Sequence, residues 1–146
     1  MGNSSITDVS TRFLILSDTH NFELRDSDGV ERATEWPLDG NFPRVDVLLH
    51  CGDLTHCGGL ASYKKALELL GSFEAELKLV IAGNHDLELD PAFWKTHLDE
   101  GDDEEDHDRA MELMTEDLAD EAGIVFLEEG TYDFELSNGA RFTVYA

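Results

Sequence analysis

The most constraining stretch of the sequence is LVIAGNHD, residues 79–86, where an apolar run reaches a glycine and then offers an amide, an imidazole and a carboxylate in succession. Two other runs end in the same way. FLIL at residues 13–16 gives way to Asp18, Thr19 and His20, and VDVLL at 45–49 gives way to Gly52, Asp53, Leu54, Thr55 and His56. Short leucine-rich and β-branched runs that stop at small or metal-competent residues mark buried strands delivering side chains at their C-terminal ends. A chain so patterned folds as a layered α/β domain with its chemistry gathered at one end of a sheet.

The remaining segments fit around that sheet. Residues 22–44 lack clean periodicity and contain Trp36-Pro37, Asp39-Gly40 and Phe42-Pro43, so they read as a long loop, a lid or substrate-facing wall. Its acids Glu23, Asp26, Asp28 and Glu31 read as solvated surface. Residues 60–73 set Tyr63, Ala66, Leu67 and Leu70 on one helical face, and residues 77–82 complete a β–α–β unit whose right-handed crossover makes the strands parallel. Asp90-Pro91 starts a short helix. Residues 99–108 are acid-dense and predict an exposed, mobile segment without the ligand offsets of a calcium loop. One helix is expected over 109–122, marked by Met111, Met114, Leu118 and Ala122 and ended by Gly123. A short strand follows at 124–127, then a hairpin of 132–136 with 141–145 in which Asn138-Gly139 fits a type I′ turn. The sequence ends at Ala146 in a strand, which predicts a sheet edge open to self-association.

The charge balance excludes some partners. Against 10 bases stand 33 acids, a formal net charge of -23, and that field repels nucleic-acid polymers and anionic membrane surfaces. Residues 1–10 have neither the basic region nor the apolar core of a secretory signal, and no run is long enough to span a bilayer. Cys51 and Cys57 lack the spacing of a zinc site and read as reduced, partly buried thiols, which suits a cytoplasmic protein.

The polar endings suit metal chemistry. Asp18 and His20 are two apart, so an extended segment turns both to one side to chelate a single ion. Asp53 can bridge two cations through its two oxygens, and Asn84 offers a neutral oxygen. Such mixed ligation suits Mn²⁺, Fe²⁺ or Zn²⁺ better than Ca²⁺ or Mg²⁺. Two cations roughly 3.5–4 Å apart can hold a shared hydroxide as nucleophile while drawing charge from a phosphoryl group. His85 is then placed to protonate the departing alkoxide, with Asp86 holding its imidazole. His56 lies close enough to support the ligands from behind. His50 reads as a core histidine, and His97 and His107 as surface residues.

Asp18-Thr19-His20, Gly52-Asp53-Leu54-Thr55-His56 and Gly83-Asn84-His85-Asp86 resemble the first three motifs of the calcineurin-like metallophosphoesterases. The strings GDLTH and KLVIAGNHD are similar to the branch containing fungal and vertebrate metallophosphoesterase-domain proteins. The resemblance implies an α/β fold of two facing mixed sheets flanked by helices over residues 1–146. It also implies Asp18 and His20 as ligands of one metal, Asp53 as the bridge, Asn84 on the other metal, and His85 with Asp86 as the acid. The family pattern continues with an isolated histidine and a Gly-His-x-His motif, whereas no histidine follows His107. The expectation is therefore a domain lacking its C-terminal portion, with weaker or partial occupancy by its two ions. The implied reaction is hydrolysis of phosphate esters, small phosphodiesters or nucleotides. The alternatives are a catalytically inactive half-domain serving as an interaction protein, and a phosphoprotein phosphatase.

Overall fold

The computed structural model describes residues 8–22 and 43–146. Most of the long loop expected over 22–44 lies outside the described residues. The elements are β1 (Phe13–Leu16), β2 (Val45–Cys51), α1 (Leu60–Gly71), β3 (Ala75–Ile81), a 3₁₀ turn (Leu87–Leu89), α2 (Pro91–Thr96), α3 (Asp106–Thr115), α4 (Asp117–Ala122), β4 (Ile124–Phe126), β5 (Thr131–Glu135) and β6 (Arg141–Tyr145). Strands β1 to β4 form a sheet in sequence order, every neighbouring pair parallel, and β5 and β6 form a separate antiparallel hairpin. This is the mixed α/β architecture expected from the sequence.

The sheet has two unlike faces because side chains alternate along each strand. Leu16, Leu48, Val80 and Ile124 belong to the main core, together with Tyr63, Leu67 and Leu70 of α1 and Met114, Ala119 and Ala122 of α3 and α4. Full burial of each large side chain contributes about 1.5–3 kcal/mol. On the other face Ile15, Leu49, Leu79 and Val125 stand in register across the four strands. The hairpin reaches this side at the start of β1, where the Phe13 and Phe142 rings meet edge-on at 5.4 Å. Ile15 nevertheless remains 64% exposed, so the hairpin covers only part of that face.

Lys78 falls on the helix-covered side of β3 and is buried there. Its ammonium donates to the carbonyls of Leu70 at 2.8 Å and Ala122 at 2.9 Å. Those carbonyls lie in the last turns of α1 and α4, where helix dipoles favour a cation. Burial pushes the Lys78 pKa down, and the two carbonyls oppose that cost.

Several expectations require correction. The helix expected over 109–122 is two helices, broken at Glu116, whose φ of -117° and ψ of -147° are not helical. The Thr115 hydroxyl donates to the Met111 carbonyl at 2.7 Å, a back-bond that competes with regular helix. The break changes the inward face: Ala119 and Ala122 are buried, while Leu118 is exposed rather than packed as expected. The helix also begins earlier, at Asp106, within the acid-dense segment. There Arg109 draws Asp103, Glu105 and Asp106 together through hydrogen bonds of 2.8–2.9 Å.

The hairpin turn is not type I′, which needs positive φ at both central residues. Gly139 has φ 86°, but Asn138 is not among the residues of positive φ. The Leu136 carbonyl accepts from Gly139 N, and Leu136 N donates to the Ala140 carbonyl, closing a three-residue loop with the glycine left-handed at its end. Both cysteines are free and exposed rather than partly buried. Among the described residues, no helix is long and apolar enough to cross a membrane.

Candidate metal centre

Parallel strands bring the segments after β1, β2 and β3 to one edge of the sheet. The first segment is tied to the second by backbone hydrogen bonds: Asp18 N donates to Gly52 O at 3.0 Å, His20 N to Asp53 O at 3.2 Å and Asn21 N to Leu54 O at 3.1 Å. Forming this ladder forces Asp18, His20, Asn21 and Asp53 to φ values of 56°, 43°, 61° and 55°. Among the described residues these are the non-glycine positions with positive φ. Each costs on the order of 1–2 kcal/mol for an ordinary residue. Strain concentrated at one spot and over-determined by its surroundings points to function.

The second and third segments meet through glycine. A Cβ on Gly83 would overlap the backbone nitrogen and Oδ1 of Asp53, and one on Gly52 would lie 2.8 Å from the Gly83 backbone. This close approach lets His85 N donate to Asp53 Oδ1 at 3.0 Å. Asn84 is exposed, between the two residues that touch the Asp53 carboxylate.

Asp18, His20 and Asp53 each offer a ligand atom, and those atoms lie within 4.8 Å of one another. His20 Nε2 is 3.6 Å from Asp18 Oδ1 and 3.9 Å from Asp53 Oδ2. Both separations exceed a good hydrogen bond and leave the three groups facing a common point. A hydrogen bond with Ser17, with smaller help from His20 and Asp53, lowers the Asp18 pKa, so it is ionised at neutral pH. Two carboxylates and an imidazole suit a divalent cation.

The expected pairing of Asp86 with His85 is replaced by another arrangement. Asp86 is buried, and its Oδ1 accepts from Thr55 N and Thr55 Oγ1, both at 2.9 Å. Its Oδ2 accepts from Leu54 N at 3.1 Å and Gly83 N at 2.8 Å. These donors engage both oxygens, so the carboxylate pins the second segment to the third. His85 is held instead by the His56 carbonyl, 2.6 Å from its Nδ1. The His56 side chain is not behind the ligands either. It is exposed and brings a ring nitrogen within 4.8 Å of those of His20 and His85.

His50 is a core histidine as expected. Its Nε2 lies 3.0 Å from Thr19 Oγ1, and burial lowers its pKa against the pull of Asp86, Asp18 and Asp53. His97 is exposed, whereas His107 is half-buried with Nδ1 2.6 Å from the Glu88 carbonyl.

Sequence reasoning missed Thr55 and Glu88. Helix α1 starts at Gly59, which has no capping side chain, and buried Glu88 reaches across to accept from Gly59 N at 2.7 Å and Tyr63 Oη at 2.9 Å. Burial and the Glu88 charge push the Tyr63 pKa up. The available signal was Gly58-Gly59 before a helix with no Ser, Thr, Asp or Asn to cap it.

The structure is thus a parallel α/β sheet with Asp18, His20 and Asp53 gathered on loops at its strand ends. The family model for calcineurin-like phosphoesterases matches residues 11–141, and the chain belongs to that family. It is 42% identical over 83 residues to metallophosphoesterase domain-containing protein 1 of Homo sapiens, covering 57% of this chain and 21% of that protein. It is 36% identical over 90 residues to a probable cyclic nucleotide phosphodiesterase of Ruthia magnifica, covering 55% and 35%. A protein of the same description from Vesicomyosocius okutanii is 50% identical over 42 residues, covering 29% and 18%. The chain thus aligns with well under half the length of each relative.

Proposed function

We propose that this chain hydrolyses small phosphodiesters or nucleotides with the help of divalent metal ions. The observation supporting this reading is the convergence of Asp18, His20 and Asp53 from two strand ends onto one point. Asp18 and His20 would hold one ion and Asn84 would serve a second, with Asp53 available to both. Bound there, divalent cations supply Lewis-acid stabilisation of phosphoryl charge and a more acidic water. Manganese, iron and zinc all suit these donors.

His85 gives the departing alkoxide its proton. Because Nδ1 donates to the His56 carbonyl, Nε2 is the ring atom that exchanges the proton. The carbonyl fixes the ring orientation and accepts from Nδ1–H in both protonation states. Asp86 serves by holding the two loops that carry Asp53 and His85. The net charge of -23 disfavours long polyanionic substrates, leaving small esters. Free, exposed Cys51 and Cys57 suit a reducing compartment such as the cytoplasm.

The test is turnover of bis(p-nitrophenyl) phosphate, cyclic nucleotides, p-nitrophenyl phosphate and a phosphopeptide with added Mn²⁺. The expected result is diester turnover that Asp53→Asn abolishes and His85→Ala reduces most for poor leaving groups. Turnover restricted to monoesters or phosphopeptides overturns the diesterase assignment. No turnover together with weak Mn²⁺ uptake favours the non-catalytic alternative.

A further inference from the structure

We infer that His20, His56 and His85 form a second cation site, lined by nitrogen, that takes a transition ion such as Zn²⁺ and silences the proposed reaction when filled. Each residue offers one ring nitrogen, and the three lie within 4.8 Å of one another. The ring centroids are 4.8 Å apart for His20 and His85, 5.8 Å for His20 and His56, and 6.0 Å for His56 and His85. That spacing brings the rings around one point with little movement.

The arrangement is held in place before any ion arrives. His20 N donates to the Asp53 carbonyl, His85 N donates to Asp53 Oδ1, and the His56 carbonyl lies against His85 Nδ1. With His85 Nδ1–H donating to that carbonyl, Nε2 is the ring nitrogen left for a metal, the usual way a protein fixes a histidine ligand. His20 Nδ1 is buried with no hydrogen-bond partner. His56 is exposed, so an ion can enter from solvent.

Three imidazoles with an open fourth position suit Zn²⁺ or Co²⁺, whereas the carboxylate-rich group of Asp18, His20 and Asp53 suits Mn²⁺. The two groups share His20 and differ in chemistry. An ion at the three histidines coordinates His85, which then has no Nε2 proton to give, and it competes for His20. This inhibitory consequence rests on the proposed phosphodiesterase reaction; the binding itself does not.

The experiment is a pair of titrations on the full chain, with circular dichroism confirming that each variant is folded. Co²⁺ is followed by its visible absorption, which is intense when tetrahedral, Zn²⁺ by competition with a chromophoric chelator, and Mn²⁺ by calorimetry. His56→Ala is expected to lose the intense Co²⁺ band and weaken Zn²⁺ binding by about tenfold or more, with the Mn²⁺ affinity nearly unmoved. Asp18→Asn is expected to do the reverse. Unchanged Zn²⁺ affinity in His56→Ala, or a weak octahedral Co²⁺ spectrum in the wild type, overturns the site. Where the Mn²⁺-loaded chain turns over diester, micromolar Zn²⁺ should inhibit it, and less so in His56→Ala; equal inhibition overturns the silencing role. A chain with no turnover at all fails the function proposed above, while the titrations still decide the histidine site.

Discussion

Replacing Asp86 with asparagine separates an organising carboxylate from a catalytic partner. The wild-type carboxylate accepts from Leu54 N, Thr55 N, Thr55 Oγ1 and Gly83 N inside a buried site. An asparagine amide accepts at one end only. If its nitrogen replaces Oδ2, the donors of Leu54 and Gly83 are both stranded. If it replaces Oδ1, the Thr55 hydroxyl can turn towards the His85 carbonyl, 3.1 Å away, and only Thr55 N is stranded. That better orientation leaves one buried donor unpaired, about 1–3 kcal/mol, and weakens the remaining bonds by removing their charge. The total is about 3–4 kcal/mol, or roughly 10 °C in Tm for a chain of this size. Urea denaturation with Mn²⁺ calorimetry on Asp86→Asn is the assay, and it should show lower stability together with weaker ion binding, since both ligand loops lose their clasp. A stability loss below about 1 kcal/mol, with kcat reduced and ion affinity intact, would refute the organising role and restore the pairing with His85.

Gly83→Ala should destabilise the fold by about 1–3 kcal/mol and weaken Mn²⁺ binding, because the new Cβ displaces Asp53; calorimetry showing wild-type affinity would contradict the close approach. Lys78→Met removes the cation shared by the ends of α1 and α4 and should cost about 1.5–3 kcal/mol in urea denaturation; a neutral result would mean that its burial cost cancels those bonds. For His50, whose pKa is lowered from 6.5 by burial, the stabilising contribution is complete above pH 6.5 and fades as pH falls through the folded value. His50→Gln should therefore lose less stability than the wild type between pH 7 and pH 5 in paired denaturation curves; parallel losses would contradict this.

The strands, the parallel β–α–β unit and the loops that bring Asp18, His20 and Asp53 together were legible because their signals are local. An apolar run, a glycine and a metal-competent side chain sit next to one another in sequence. Asp90-Pro91 likewise announces α2, and Asp90 Oδ1 does accept from Ala92 N and Phe93 N. The break at Glu116 was not legible, since Thr115, Glu116 and Asp117 include no proline or glycine and the inward shift from Leu118 to Ala119 is settled by packing. The role of Asp86 was hidden for a related reason. Its sequence neighbour His85 suggested a partnership, while its actual partners Leu54 and Thr55 lie some thirty positions away and come close only through Gly52 and Gly83. The left-handed conformations of Asp18, His20 and Asp53 carry no glycine signal either, and arise from the ladder between two loops.

Loops at parallel strand ends converge on Asp18, His20 and Asp53, and these three side chains are expected to hold a cation. The decisive measurement is Mn²⁺ titration of the wild type and Asp53→Asn, followed by the loss of free-ion electron paramagnetic resonance signal at moderate salt. Saturable binding by the wild type should fall at least about tenfold in the variant. Equal binding by both proteins, weakening together as salt is raised, would mean that the ion rides on the acidic surface and that the convergence has no function in metal binding.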